Sequence, residues 1–411
     1  MAWFFSLLGS YVFYYPLVMS LVWIIGGLFF YFRKERNTGR FPILRFVPKI
    51  SVLIPARNEA DNIRETVQAV LASQYPAMEV IVIDDDSSDG TDRIITKLGE
   101  EHENVRGLFL RRHMGKASGL NMAFLMSRGD IIVTIDADCL LDKQALYWIA
   151  WHFANFPRVG AVTGNPHVRN RTTLLAQIQT AEYTSVIGLV KRTQRVLGKL
   201  LTVSGVIAAF RREALADVGL WSHDMITEDI DITWKLEKRF WDVRYETNAV
   251  GWILVPETLK GLWMQRLRWA QGGVETIRRH RGVWLDWRQR RIWPVYIDYV
   301  LVIIWSYSFF LTVLYWGACR LLGAETGVFW GWNGSVAAFV CVFQFLVSLS
   351  INLRYDKTLI SAYFWIIWYP AFYWLFNACA TVVGFYKGMT KKFGRASLWQ
   401  SPDRGVSRSA R

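Results

Sequence analysis

Only four cysteines occur in the 411 residues, Cys139, Cys319, Cys341 and Cys379, and no two are spaced as partners. That excludes a disulfide framework and a zinc site as organising features. No internal repeat or low-complexity tract occurs, which removes solenoids and biased linkers from consideration. Charge is missing from whole segments: residues 1–32, 333–353 and 359–386 carry none, and 292–318 only Asp298. Each run reaches the ~20 residues a spanning helix needs, so a wholly soluble protein is excluded and four spans are expected. The first run also lacks a basic leader and a small-residue cleavage site, which makes residues 1–32 an uncleaved anchor.

What is present is basic and aromatic. Lys and Arg number 48 against 34 Asp and Glu, a net charge of +14, and 15% of residues are aromatic, with 21 Trp. No interleaved basic and aromatic module for nucleic acid occurs, so no nucleic-acid partner is expected. Much of the charge abuts the apolar runs, where attraction to the head groups of a lipid bilayer accounts for it. Arg33, Lys34 and Arg36 follow the first run, and Arg288, Arg290 and Arg291 precede the second. The positive-inside rule therefore places the domain at 49–285 in the cytoplasm. Residues 290–388 form a C-terminal membrane region and 389–411 a basic tail. Here two readings conflict. Three spans after a cytoplasmic domain leave the tail outside, whereas Lys387, Lys391, Lys392, Arg395 and Arg404 favour the cytoplasm. Pro370 offers a way out by breaking the last run into a re-entrant or interfacial pair.

Between the first two spans, short apolar runs alternate with helical ones. Strands are expected at Lys49–Ala56, Val80–Ile83, Val105–Leu110 and Ile131–Ile135, and helices at Glu59–Ser73, Thr91–Glu101 and Lys116–Met126. This is the pattern of an α/β domain whose parallel sheet is covered on both faces. In such sheets ligands gather at the carboxyl ends of the strands.

Acidic clusters fall at those ends. Pro55, Arg57 and Glu59 follow the first strand as candidate base and ribose contacts, although Asn58 and Glu59 equally suit the first turn of a helix. Asp84-Asp85-Asp86 closes the second strand, either to accept hydrogen bonds from a nucleoside or as a turn capped by Asp89 or Thr91. Asp136-Ala137-Asp138 follows Ile131–Ile135. Two acids at a buried strand end are costly without a cation, and Mg2+ or Mn2+ takes one or two carboxylates plus diphosphate oxygens. Such an ion would neutralise a departing diphosphate. Thr227-Glu228-Asp229 precedes a helix over Ile230–Lys238, as a base near an attacking hydroxyl or as a plain capping box. Gln265-Arg266-Leu267-Arg268-Trp269 lies on a helix over about Thr258–Arg279. Trp269 suits stacking on a sugar and Arg268 clamping a diphosphate, and an amphipathic helix on the membrane explains the same residues. Lys116 is a further phosphate candidate, though a lone lysine is usually solvated.

In the order Asp85, Asp136 with Asp138, Asp229 and Gln265-x-x-Arg268-Trp269, the chain resembles the processive family-2 glycosyltransferases, which include cellulose, chitin and hyaluronan synthases. The stretches Val159–Pro166, Val203–Arg212, Met225–Leu236, Pro256–Gly273, Phe364–Trp368 and Ser401–Gly405 resemble the bacterial branch that polymerises N-acetylglucosamine through β-1,6 links. The resemblance implies a GT-A (Rossmann-like) catalytic domain combined with α-helical transmembrane segments in a bacterial inner membrane. It implies inverting transfer from UDP-N-acetylglucosamine (UDP-GlcNAc) onto a growing polysaccharide chain exported into biofilm. It assigns Asp85 to the uridine, Asp136 and Asp138 to the diphosphate and its metal, and Asp229, beside Glu228, to the catalytic base. Gln265, Arg268 and Trp269 would hold the diphosphate and the acceptor terminus. A small inner-membrane accessory subunit is implied as a partner. Asp86 departs from the family, which usually has Gly there. A chitin or hyaluronan type of synthase, with β-1,4 or β-1,3 links, would share these motifs. A lipid-phosphate sugar transferase would not need Gln265-x-x-Arg268-Trp269, and an inactive scaffold of an export complex should have lost some of the acids.

Overall fold

Branched apolar residues fill the central strands because helices cover both faces of the sheet they form. In the computed structural model, which describes residues 2–36, 43–323 and 331–398, β1 (Ile50–Ala56), β2 (Met78–Asp85), β3 (Val105–Leu110) and β4 (Ile131–Ile135) run parallel in the order β3-β2-β1-β4. One face buries Val52 and Ile54 against α2 (Ile63–Leu71), α3 (Thr91–Glu101) and α5 (Ala145–Asn155). The other buries Leu53, Ile81 and Ile83 against α4 (Lys116–Met126) and α9 (Glu228–Lys238). The expected helix at Glu59–Ser73 starts later, at Ile63, and leaves Asn58 and Glu59 in a loop.

The second half of the sheet departs from the all-parallel expectation. β7 (Ile207–Arg211) lies antiparallel between β4 and β6 (Val159–Val168), β6 runs parallel to β8 (Asp242–Ile253), and the two-residue β5 (Leu140–Leu141) is the antiparallel edge. Strand periodicity says which face a residue takes and nothing about strand direction, so β7 could not be oriented from its residues. The remaining helices of this domain are α6 (Leu174–Glu182), α7 (Val190–Leu197), α8 (Arg212–Asp217) and α10 (Leu259–Arg279).

Among the described residues, three helical segments are long and apolar enough to cross a membrane: Trp3–Glu35, which takes in nearly all of α1 (Ala2–Phe30), Trp293–Leu321 (α11) and Gly334–Asn352 within α12 (Gly331–Asn352). The fourth expected span is corrected. Residues 359–386 do not make one helix; they divide among a tight helical stretch at Lys357–Phe364, a wide turn at Tyr369–Tyr373 and α13 (Trp374–Thr390). α13 lies along α10, with Phe376 against Trp263 at 5.6 Å between ring centroids. Further on, a Cβ added at Gly384 would stand 2.6 Å from that of Ala270, and one at Gly388 would stand 2.7 Å from that of Val274. Glycine at both positions is what lets the helices approach.

The break also removes the conflict over the tail. After α13 the chain turns back onto the catalytic domain: Lys391 pairs with Glu275 at 3.0 Å, Gly394 N–H donates to Asp224 Oδ2 at 2.9 Å, and Ser397 N–H donates to His223 O at 2.8 Å. The described part of the tail therefore keeps company with the 49–285 domain, as its charge suggests. Ser401–Gly405 and the last basic residues lie outside the described residues.

Membrane helices and catalytic domain meet at a buried ion pair. Arg192 of α7, 0% exposed, donates to Glu35 at the end of the first span at 2.6 Å, and Tyr355 O–H, just past α12, donates to the same carboxylate at 3.0 Å. Removing one partner of a buried pair leaves the other charge uncompensated, at about 3–5 kcal/mol. Arg192→Met is expected to lose stability on that scale, read from denaturant unfolding in detergent; a loss below about 1 kcal/mol would show the junction to be held elsewhere.

Candidate active site

The parallel half of the sheet brings three strand ends to one rim, and the loops that leave them are zipped together. Asn58 N–H donates to Ser87 Oγ at 2.9 Å, Ser88 N–H to Asn58 Oδ1 at 2.9 Å, and Glu59 N–H to Thr91 Oγ1 at 3.0 Å. Asn58 and Asp86 hold positive φ, 54° and 61°. Short polar side chains tolerate this region better than others, and glycine best of all. The departure at Asp86 thus falls where the backbone itself asks for glycine. The capping reading of Asp89 or Thr91 is corrected: Gly90 is the cap residue of α3 and makes no side-chain cap, while Asp89 accepts from Thr91 N–H at 3.0 Å in the turn before it.

Pro55, Arg57, Glu59, Asp85, Lys116, Asp136, Ala137 and Asp138 line one cleft at this rim. Asp85 does not stand free in it. Its oxygens accept from Met114 N–H at 2.7 Å and Gly115 N–H at 2.9 Å, and His113 Nδ1 lies 2.7 Å away. Asp85 thereby fixes the loop that starts α4 and carries Lys116. Arg57 keeps one buried guanidinium nitrogen without a partner. Thr66 of α2 donates to Ala137 O at 2.7 Å and pins the turn between Asp136 and Asp138. Asp138 is 5% exposed.

Lys116 is not the solvated lysine its isolation suggested. Its ammonium lies 2.6 Å from Asp136 and 3.3 Å from Glu228, and donates to Gly205 O at 3.3 Å. Burial works to discharge it, but Asp136, Glu228 and Asp229 outweigh burial, and its pKa rises above the ordinary lysine value. It joins the acidic rim of the sheet to the first turn of α9.

The capping box expected at Thr227 is absent: Thr227 makes no side-chain cap, and its hydroxyl is buried without a partner. The acids that follow therefore need another explanation than capping. Asp229 accepts from Gly205 N–H at 3.1 Å and from its neighbour Ile230 N–H at 3.0 Å. Burial, then the charge of Glu228, push its carboxyl up to about 6, against the pull of Lys116 and Arg268. A carboxyl poised there takes a proton near neutral pH more readily than an ordinary one.

α10 approaches the site through Arg268, whose charge acts on Asp229, while Gln265, Arg268 and Trp269 do not line the cleft at the strand ends. Gln265 is 8% exposed with a buried carbonyl oxygen that no group satisfies. Arg268, near enough to lower the pKa of Asp229, pairs with no carboxylate among the described residues. Trp269 meets Tyr183 edge-on at 6.4 Å between ring centroids, and over its ring, 4.2 Å from the centroid, lies the guanidinium of Arg266, which pairs with Glu182 at 2.5 Å. The helix is therefore no free surface helix; α13 packs along it.

Sequence reasoning missed Lys191. It is buried on α7, donates to Thr163 Oγ1 at 3.2 Å, and Thr163 in turn accepts from Ser204 N–H at 2.8 Å, next to the Gly205 that holds Asp229. Burial pushes its ammonium down to about 7, with Asp229 working the other way. No motif surrounds it, and only the fold brings α7 beneath the site.

Acidic residues at strand ends, a buried lysine among them and a buried aspartate of raised pKa on a neighbouring helix are a suitable setting for group transfer from a charged donor. The family of glycosyltransferase-like family 2 matches residues 48–272, and the chain belongs to that family. It is similar along almost its whole length to the poly-β-1,6-N-acetyl-D-glucosamine synthases of Staphylococcus aureus (strain MSSA476), 38% identical, and Staphylococcus epidermidis, 36% identical, in each case over 96% of this chain and 98% of the relative. Its fold matches the mannosyltransferase from Pyrobaculum calidifontis solved with GDP-Man and Mn2+, with a TM-score of 0.62 at 20% identity, covering 93% of this chain and 99% of that one.

The raised pKa of Asp229 gives the expected pH dependence. With Asp229 in the role of base, which must be ionised to work, sugar transfer should be full above pH 7 and fall as pH drops through about 6. A rate–pH profile whose acid limb lies near the ordinary aspartate value of about 4 would contradict the environment described.

Proposed function

We propose that this glycosyltransferase polymerises N-acetylglucosamine from UDP-GlcNAc into poly-β-1,6-N-acetyl-D-glucosamine, with its catalytic domain on the cytoplasmic face of a bacterial inner membrane. The observation that carries the reading is the juncture at Lys116, where Asp136 on the sheet rim and Glu228, next to Asp229 on α9, share one ammonium. Nucleotide chemistry and base chemistry thus face the same space. The product class comes from the synthases of the two staphylococci, similar over nearly the full length including the membrane helices.

In this reading Asp229 accepts the proton of the acceptor's primary hydroxyl. That oxygen attacks the anomeric carbon of the donor from the face opposite UDP, the bond from carbon to the diphosphate oxygen breaks, and UDP leaves with the electron pair. One displacement turns an α-linked donor into a β-linked product. Arg268, which forms no ion pair among the described residues, and Lys116 meet the charge of the diphosphate. Pro55, Arg57, Glu59 and Asp85 surround the nucleoside, Asp85 through the loop it fixes. Gln265 and Trp269 hold the acceptor terminus, with the orphaned Gln265 oxygen open to a sugar hydroxyl and the Trp269 ring to a sugar face.

Asp136 and Asp138 fit a divalent ion by their chemistry, since two carboxylates at one strand end need only diphosphate oxygens to complete the shell of Mg2+ or Mn2+. Bound there, the ion would supply positive charge to the leaving diphosphate. The Mn2+ in the mannosyltransferase of the same fold supports this assignment. The basic residues flanking the spans favour the cytoplasmic orientation. A small accessory membrane subunit is the expected partner at the bilayer-facing surfaces.

Two assays on membranes supplied with UDP-GlcNAc and Mg2+ or Mn2+ test the reading. Asp229→Asn should insert and bind UDP yet lower polymer output at least a hundredfold, the scale of lost general-base catalysis; substantial output would remove Asp229 as base. Wild-type product should be degraded by a β-1,6-specific hexosaminidase, and resistance would turn the reading toward a β-1,4 or β-1,3 polymer.

A further inference from the structure

A buried carboxyl without a full set of partners lies at the end of α9 opposite Asp229. Glu237 is 1% exposed; one oxygen accepts from Leu200 N–H at 2.9 Å, and Oε2 has no hydrogen-bond partner. It faces a cavity of about 640 Å³ whose walls include Lys199, Arg288 and Arg291. Asp242, the other acid of the wall, is already taken by Arg195 at 3.0 Å and Arg244 at 2.6 Å. Arg288 and Arg291 form no ion pair among the described residues, and Lys199 acts on Glu237 by its charge without a hydrogen bond to Oε2. A ligand completing this cavity must bring an anion for the cations and a hydrogen-bond donor for Glu237 Oε2.

The position of the cavity narrows the choice. Arg288 and Arg291 immediately precede α11, the second span. Beside them Trp287 is 67% exposed and Leu285 92%. Exposed Trp beside the start of a span marks the membrane–water interface. Soluble glycerol phosphate carries the same chemistry, but a cavity at the foot of a spanning helix, flanked by protruding apolar side chains, suits a ligand with acyl chains.

We infer that this cavity seats the headgroup of an anionic glycerophospholipid from the surrounding bilayer, its phosphate on Arg288, Arg291 and Lys199 and a headgroup hydroxyl donating to Glu237. The seat lies on the helix that presents the base: from Asp229 to Glu237 is about 12 Å along α9. Burial also pushes the Glu237 carboxyl up to about 7, against the charge of Lys199, the Leu200 N–H and Arg195, with Asp242 adding to the rise. The inference does not depend on the identity of the polymer.

The test uses the full-length protein in nanodiscs of phosphatidylcholine with increasing phosphatidylglycerol, and native mass spectrometry to count retained lipid. Saturable retention of phosphatidylglycerol is expected. Arg288→Gln with Arg291→Gln should weaken it about thirtyfold, two membrane-surface cations at about 1 kcal/mol each. Glu237→Gln, which keeps the oxygen that accepts from Leu200 but presents a donor in place of Oε2, should weaken it about tenfold, the scale of one hydrogen bond to a charged group. Arg33→Gln with Lys34→Gln removes equal charge beside the first span and should change it less than threefold. Unfolding midpoints of all variants serve as the folding control. Equal losses in the two double variants would reduce the effect to general surface attraction and overturn the seat. So would the absence of saturable retention, or undiminished retention in Glu237→Gln. Displacement of the lipid by millimolar glycerol phosphate would overturn the lipid assignment in favour of a soluble anion.

Discussion

The ammonium of Lys116 is the interaction on which the site depends. Carboxylates from the sheet rim and from the first turn of α9 converge in a partly desolvated space, and unopposed they would repel one another and the diphosphate they serve. One lysine, held at the start of α4 by the loop that Asp85 fixes, stands between Asp136 and Glu228. Because it is buried, its charge is screened less than that of a surface lysine, and it can balance several acids at short range. The sequence of constraints runs from Asp85 to the loop, from the loop to Lys116, and from Lys116 to both rims.

A second set of contacts fixes this site relative to the bilayer. Arg192 and Glu35 tie the first span to α7, and α13 lies along α10, which carries Trp269 and Arg268, proposed here to meet acceptor and diphosphate. α10 is thus braced by an apolar segment that in isolation reads as a membrane span. A growing chain leaving the site meets protein that is already continuous with the membrane helices. That continuity suits an enzyme whose product must cross the membrane.

Much of this was legible in the sequence because local chemistry determined it. β3, β4, α3 and α4 occupy the residues that alternation and helical pattern assigned to them, and the acids expected at strand ends are there. What could not be read was set by tertiary geometry. Lys116 was a phosphate candidate in the sequence, but its bridge between two acids, like the burial of Lys191, comes from helices that converge only in the fold. The direction of β7 is invisible to a period-two pattern. The run at 359–386 was apolar enough to span, yet Gly384 within it and Gly388 just beyond serve close packing on α10. Thr227 suited an N-cap by residue type, and the backbone does not use its side chain as one.

The central claim is that Lys116 makes one site of the two acidic rims. A double-mutant cycle in kcat/KM for UDP-GlcNAc, built from Lys116→Met, Glu228→Gln and the pair together, reads that claim directly. If the ammonium couples the rims, the effects will depart from additivity by about 1–3 kcal/mol. Additivity within about 0.5 kcal/mol would mean that sheet rim and helix act separately, and the account would fail.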